Sequence, residues 1–111
     1  MGLFKRKDKT TEYSTHALLT AFDQMEYFIV TSRSNDELFK LADTVLNGKP
    51  VLANFDKVSV SDCNYILAFM SGLVYAKDGE VVKVGERLFL FARHEEFLDG
   101  SLKEYVEDYK Q

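Results

Sequence analysis

One cysteine and two histidines occur among the 111 residues, and these scarcities close off most site chemistry. Cys63 has no partner within the chain, so no disulfide framework can form, which fits a reducing compartment. No apolar run approaches the roughly 20 residues that span a bilayer. The N-terminus is basic, yet "DKTTEYSTH" stands where a signal peptide needs its apolar region. A cytoplasmic location is therefore expected. Phosphate cradles are missing too: Gly72, Gly79 and Gly85 do not form GxGxxG, and no GK[ST] follows them.

The histidines that are present do not build a centre. His94 is followed by Glu95 and Glu96, but the HExxH pattern needs a second histidine where Leu98 stands. His16 is distant in sequence. Cys63 falls on the apolar stripe of a predicted helix, where a free cysteine acts as a small hydrophobe. A nucleophile would need an activating base, and the pattern places neither histidine beside it. Asp99, Glu104, Glu107 and Asp108 read as the solvated side of a terminal helix. No catalytic residue, metal site or cofactor is expected.

What the chain does have is apolar mass and an uneven charge. Hydrophobic residues make up 46% and aromatic residues 14%, enough for one ordered domain. The net charge is −4, but residues 1–9, "MGLFKRKDK", hold four of the 14 basic residues and one of the 18 acidic ones. The tip is therefore +3, and the remaining 10 basic and 17 acidic residues leave a body of −7. An acidic body is a poor surface for nucleic acid. The tip, with Leu3 and Phe4 beside Lys5, Arg6 and Lys7, combines the two elements of an anionic-membrane anchor. Arg6 occupies the position at which a myristoylation motif wants Ser or Thr.

Residues 10–26 read as a linker in which Leu18, Leu19, Phe22 and Met25 suit either a short helix or an apolar stretch without one, and residues 27–111 as the folded domain. "YFIVT" from Tyr27 is a buried strand. Ser34 and Glu37 stand at capping-box spacing before an apolar stripe of Leu38, Leu41, Ala42, Val45 and Leu46, and Asn47-Gly48 ends that helix. "VLANF" after Pro50 is a second strand, parallel to the first through a right-handed crossover. A second helix is predicted over Ser61–Tyr75, with Cys63, Ile66, Leu67, Met70, Leu73 and Val74 on its core stripe. Tyr65, Phe69 and Gly72 form a partial second stripe. "KDG" is a turn, "EVVKV" and "RLFLFA" a hairpin, and Leu102, Tyr105, Val106 and Tyr109 mark a last amphipathic helix.

The fold class expected is α/β: one two-layer domain of order βαβαββα, a small mixed sheet with helices on one face. Both faces of that sheet need a cover. In "RLFLF", Leu88 and Leu90 point one way and Phe89 and Phe91 the other, and "YFIVT" is equally two-sided. A second copy of the chain is the expected cover of the face the helices leave open, with Phe89 or Phe91 at its centre. The partial stripe of Tyr65, Phe69 and Gly72, with Asp78 and Gly79 at its end, is the expected surface for further assembly.

At "ILAFMSGLVYAKDGEVVKVGERLFLFA" the chain resembles the SepF family of cell-division proteins. The matching elements are Phe69-Met70-Ser71-Gly72, Val74-Tyr75-Ala76, Asp78-Gly79, Lys83-Val84-Gly85 and Phe89-Leu90. The resemblance extends over roughly Tyr27 to Tyr109. Two departures stand out: residues 10–26 are shorter and less acidic than the linker of the family, and Asp78 stands where many relatives carry glycine. The resemblance implies a non-enzymatic adaptor without cofactor. Such a protein dimerises, polymerises, binds the C-terminal tail of FtsZ and ties it to the inner face of the cell membrane at the division site. It also implies that "MGLFKRKDK" is the membrane segment. An aromatic floor with a cationic rim, at Lys83, Arg87, Phe89 and Phe91, is the expected receptor for the tail. The rivals are a small-ligand or nucleotide-sensing α/β domain and an enzyme working through His94 with its carboxylate neighbours.

Overall fold

Ser34 and Ser59 each open a helix by accepting a hydrogen bond from the backbone N–H three residues on, Glu37 at 3.3 Å and Asp62 at 3.0 Å. The first pair is half of the expected capping box. The Glu37 carboxylate turns instead to the Thr31 N–H at 3.2 Å, and the Ser34 N–H donates to Ser32 Oγ. Glu37 thereby ties the strand exit to the helix start.

The computed structural model describes residues 19–110. Strand β1 covers Glu26–Ile29, helix α1 Asn35–Leu46, β2 Val51–Asn54, α2 Val60–Ala76, β3 Gly79–Gly85, β4 Leu88–Arg93 and α3 Ser101–Lys110, with a short 3-10 turn at His94–Phe97. The strands form one sheet in the order β1-β2-β4-β3. β1 and β2 are parallel, as the intervening helix requires; β2 with β4 and β3 with β4 are antiparallel. The mixed four-stranded sheet and three helices match the expected α/β class. The expected linker ends in a turn at residues 21–24 before β1.

Register decides which side each residue serves. Val51 stands opposite Phe91 and Phe91 opposite Val81, while Leu52 stands opposite Leu90 and Leu90 opposite Val82. The first row joins Leu38, Leu41, Val45, Ile66, Met70 and Val74 in the main core beneath α1 and α2. The second row faces the other way and packs with Leu102, Val106, Ala21 and Met25.

The covering therefore differs from the expectation. Helix α3 and the turn before β1 lie on the opposite face from α1 and α2, so the chain itself shields Leu90 and Ala92, both fully buried. Phe91, expected as a centre of the open face, is fully buried under α1 and α2, and Phe89 is partly buried beside it. An amphipathic helix can cover either face of a two-sided sheet, and α3 takes the face that α1 and α2 leave. The uncovered part of the second face lies at the β1 edge, where Tyr27 and Ile29 are each about half exposed.

Two backbone details bear on the turns. Asp78 takes a left-handed φ of 59°, the conformation that glycine adopts without strain and that aspartate tolerates, so the residue departing from the family pattern still makes the turn. Gly79 is required by close approach: a Cβ there would lie 2.5 Å from the Ala92 carbonyl oxygen.

Candidate protein-interaction surfaces

Helix α2 has two sides with different fates. Cys63, Ile66, Met70 and Val74 are buried, which places the lone cysteine in the core. On the opposite side Tyr65 and Phe69 are exposed in successive turns, and Tyr75 is 83% exposed. Gly72 continues this line, and a Cβ at Gly72 would meet nothing within 4 Å. The helix surface beside Phe69 is thus open to close approach at Gly72. Arg33 lies over the Tyr65 ring, 4.5 Å from its centroid, and its Nε is 3.6 Å from Asp62 Oδ1. This contact sets a cation against the face of the exposed Tyr65 ring.

Of the five residues expected at an assembly surface, Tyr65, Phe69 and Gly72 share this helix side, and Asp78 is exposed at the helix end. Gly79 stands apart because its lack of a side chain serves the β3–β4 pairing.

The second surface is the uncovered strip of the sheet. Tyr27 and Ile29 lie beside Asn54, whose Nδ2 donates to Tyr27 Oη at 3.1 Å. Tyr105 and Tyr109 of α3 border the strip with ring centroids 6.2 Å apart, and Phe22 approaches Tyr105 at 5.4 Å. Desolvation raises the Tyr105 pKa above its ordinary value, with Tyr109 and Tyr27 adding to the rise. A half-buried phenol cluster of this kind has an apolar body and a polar tip, the character enriched at protein interfaces. Sequence reasoning assigned Tyr105 and Tyr109 only to an amphipathic helix; the strip exists because that helix stops short of β1.

Of the four residues expected to receive a peptide tail, three share one end of the hairpin and Phe91 does not. Lys83 is exposed on β3. Arg87 is half-buried and donates from its guanidinium to the Val58 carbonyl, while its own carbonyl accepts from the Phe55 N–H at 2.8 Å. It pins the hairpin to the loop before α2. Phe89 packs edge-on against Phe55 at 5.8 Å. Lys83, Arg87 and Phe89 therefore gather at the turn end of the hairpin, and Phe91 belongs to the core. Leu3, Phe4, Lys5, Arg6 and Lys7 lie outside the described residues.

His94 is exposed and its acidic neighbours are engaged elsewhere. Glu96, buried, accepts from the Arg93 N–H at 2.7 Å and from Arg93 Nε at 3.0 Å, and Glu95 takes the Arg93 Nη2 at 3.2 Å. The carboxylates orient an arginine, not an imidazole. Among the described residues no three metal-ligating side chains converge, and no helix is long and apolar enough to cross a membrane.

Comparison with known proteins identifies the family. The family model for cell division protein SepF matches residues 28–94. The chain is 32% identical to the cell division protein SepF of Pelotomaculum thermopropionicum over 100 residues, 90% of this chain and 64% of the relative. It is 29% identical to the SepF of Lacticaseibacillus casei over 102 residues, 92% and 65%. It thus spans just under two thirds of the length of these relatives. Among solved structures, a SepF-like protein from Archaeoglobus fulgidus superposes with a TM-score of 0.56 over 62% of this chain and 83% of that one, at 17% identity, a likeness of fold. With a family match running from β1 through β4, the chain belongs to the SepF family of cell division proteins.

Proposed function

We propose that the chain is a non-enzymatic adaptor that pairs with itself, assembles further, binds the C-terminal tail of FtsZ and tethers it to the inner face of the cell membrane at the division site. The observation that carries this reading is the pair of exposed apolar surfaces, on α2 and at the β1 edge, in a domain of a cell-division family. Exposed aromatic groups flanking a small residue are costly in isolation and suit contact with other protein. The β1 strip serves the dimer, the α2 side serves larger assemblies, and the Lys83, Arg87 and Phe89 end of the hairpin receives the tail. The tip at residues 1–9 supplies the membrane contact.

Calorimetry with a synthetic FtsZ C-terminal peptide tests the central claim. Saturable binding is expected, weakened modestly in Lys83→Ala because a rim charge contributes little. An absence of heat at high peptide concentration, with the protein folded, removes the adaptor reading.

The ligand-sensing rival would use a cavity of about 280 Å³ lined in part by Val82, Phe97 and Val106. Its lining sets Glu80 and Glu107 against His94 and Lys103, which offers no net attraction for a nucleotide phosphate. Thermal shift against a nucleotide panel is expected to be flat.

A further inference from the structure

The turn before β1 is clasped to α3 by a short network. The Ala21 N–H donates to Asp99 Oδ2 at 2.8 Å, and the Phe22 N–H donates to Ser101 Oγ at 3.0 Å. Ser101 in turn donates to Asp99 Oδ1 from its N–H at 2.9 Å and its hydroxyl at 2.7 Å. The point at which the N-terminal segment joins the domain is thereby fixed. Directly beside that point is an open groove of about 360 Å³ whose lining joins the rings of Phe22 and Tyr105 to the carboxylates of Asp23, Glu104 and Asp108.

We propose that this groove is a docking site for the chain's own tip, residues 1–9, and that docking withholds the tip from the membrane. Three observations select this occupant. The groove offers three carboxylates around two aromatic rings, and the tip offers a net charge of +3 beside Leu3 and Phe4. Thr20, a residue of the groove wall, is one residue from the start of the described structure at Leu19. Residues 10–18 reach up to about 30 Å when extended, more than enough to return the tip to the groove. The groove carboxylates compete for the same lysines and arginine that meet anionic lipid, so a docked tip lowers the apparent membrane affinity in proportion to its occupancy. The contact stands on the groove alone. Only its consequence rests on the membrane tether proposed above.

The test uses the full chain with a nitroxide at Gly2→Cys in a Cys63→Ala background, read by paramagnetic broadening of backbone amides. Broadening confined to residues 20–23 and 101–108 is expected at low salt, fading at high salt and in Glu104→Gln/Asp108→Asn. Even broadening, none, or broadening lost when labelled chains are diluted with unlabelled ones overturns docking in cis. Vesicles of phosphatidylglycerol and phosphatidylcholine supply the second arm. Glu104→Gln/Asp108→Asn is expected to bind threefold or more tightly than the parent. Asp43→Asn/Asp56→Asn, with the same change in charge away from the groove, is expected to match the parent. An equal rise in both pairs overturns the competition. Localised broadening in a chain that binds no vesicles leaves the docking in place and removes the tether.

Discussion

The ring of Phe22 lies 5.4 Å from the ring of Tyr105, so the segment entering the domain is packed against the helix that leaves it. This contact and the Asp99–Ser101 clasp close the β3–β4 half of the second sheet face. The β1 half stays open. A two-sided sheet is thus covered by three helices on two faces, and the remainder needing cover is a strip rather than a whole face.

Tyr27 and Ile29 are the residues to charge. Both are about half exposed, so Ile29→Glu is expected to fold normally, while an unpaired charge buried at a protein contact costs about 3 kcal/mol or more. Light scattering is expected to show a shift to monomer. A dimer that persists at micromolar concentration places the interface away from this strip.

Phe91 calls for the opposite outcome. It is fully buried between the sheet and α1 and α2, and truncating a buried phenylalanine costs about 3–5 kcal/mol. Urea unfolding of Phe91→Ala is expected to show a loss of that order. A loss below about 1 kcal/mol would contradict the packing of β4 described above.

Much of this architecture was legible in local sequence. The first helix start carried its serine cap, the apolar periodicity of α2 named its core stripe, and the β-branched runs marked β1 and β2, whereas the Ser59 cap places the start of α2 at Val60, one residue before the expected Ser61. Three features were not legible, each for a physical reason. "RLFLF" alternates perfectly, so either pair could face the helices; pairing of Phe91 with Val51 and Val81 decides it, and register is a property of the whole sheet. The side taken by α3 depends on which face remains free once α1 and α2 have packed. Leu46, expected in the core stripe, is 43% exposed, because a 12-residue helix of about 18 Å outruns four-residue strands of about 13 Å. The aromatic side of α2 was visible as a partial stripe, whereas the groove by Phe22 joins segments from opposite ends of the chain that no local pattern links.

Two glycines are expected to respond oppositely to alanine. At Gly72 a Cβ meets nothing, and the residue sits inside α2, so Gly72→Ala gains about 0.5–1 kcal/mol of helix stability. At Gly79 the Cβ would strike the Ala92 backbone at 2.5 Å, and backbone must move to admit it. Gly79→Ala is expected to lose about 2 kcal/mol, within the range of overpacking. Denaturant midpoints of the two variants decide, and equal effects would refute the placement of one of them.

The clasp predicts a response to acid. Hydrogen bonds from the Ser101 N–H, the Ala21 N–H and the Ser101 hydroxyl hold the Asp99 pKa below the usual aspartate value, outweighing a small opposing effect of burial. A carboxyl whose folded pKa is depressed contributes its stabilisation above the unfolded value, near about 4, and loses it as pH falls through the folded pKa. The turn at residues 21–24 is therefore expected to stay fastened at neutral pH and to loosen only under strongly acidic conditions. Asp99→Asn removes the charge while keeping an acceptor, so the amide resonances of Ala21 and Phe22 should move at pH 7 toward positions the parent reaches only in acid. Because the carboxylate is exposed to solvent, the effect on global unfolding is expected to be small. Backbone amide shifts followed from pH 7 to pH 2 provide the measurement. If the Ala21 amide of the parent titrates at or above the ordinary aspartate pKa, Asp99 does not hold the arm, and the entry point of the N-terminal segment is set by Phe22 and Tyr105 alone.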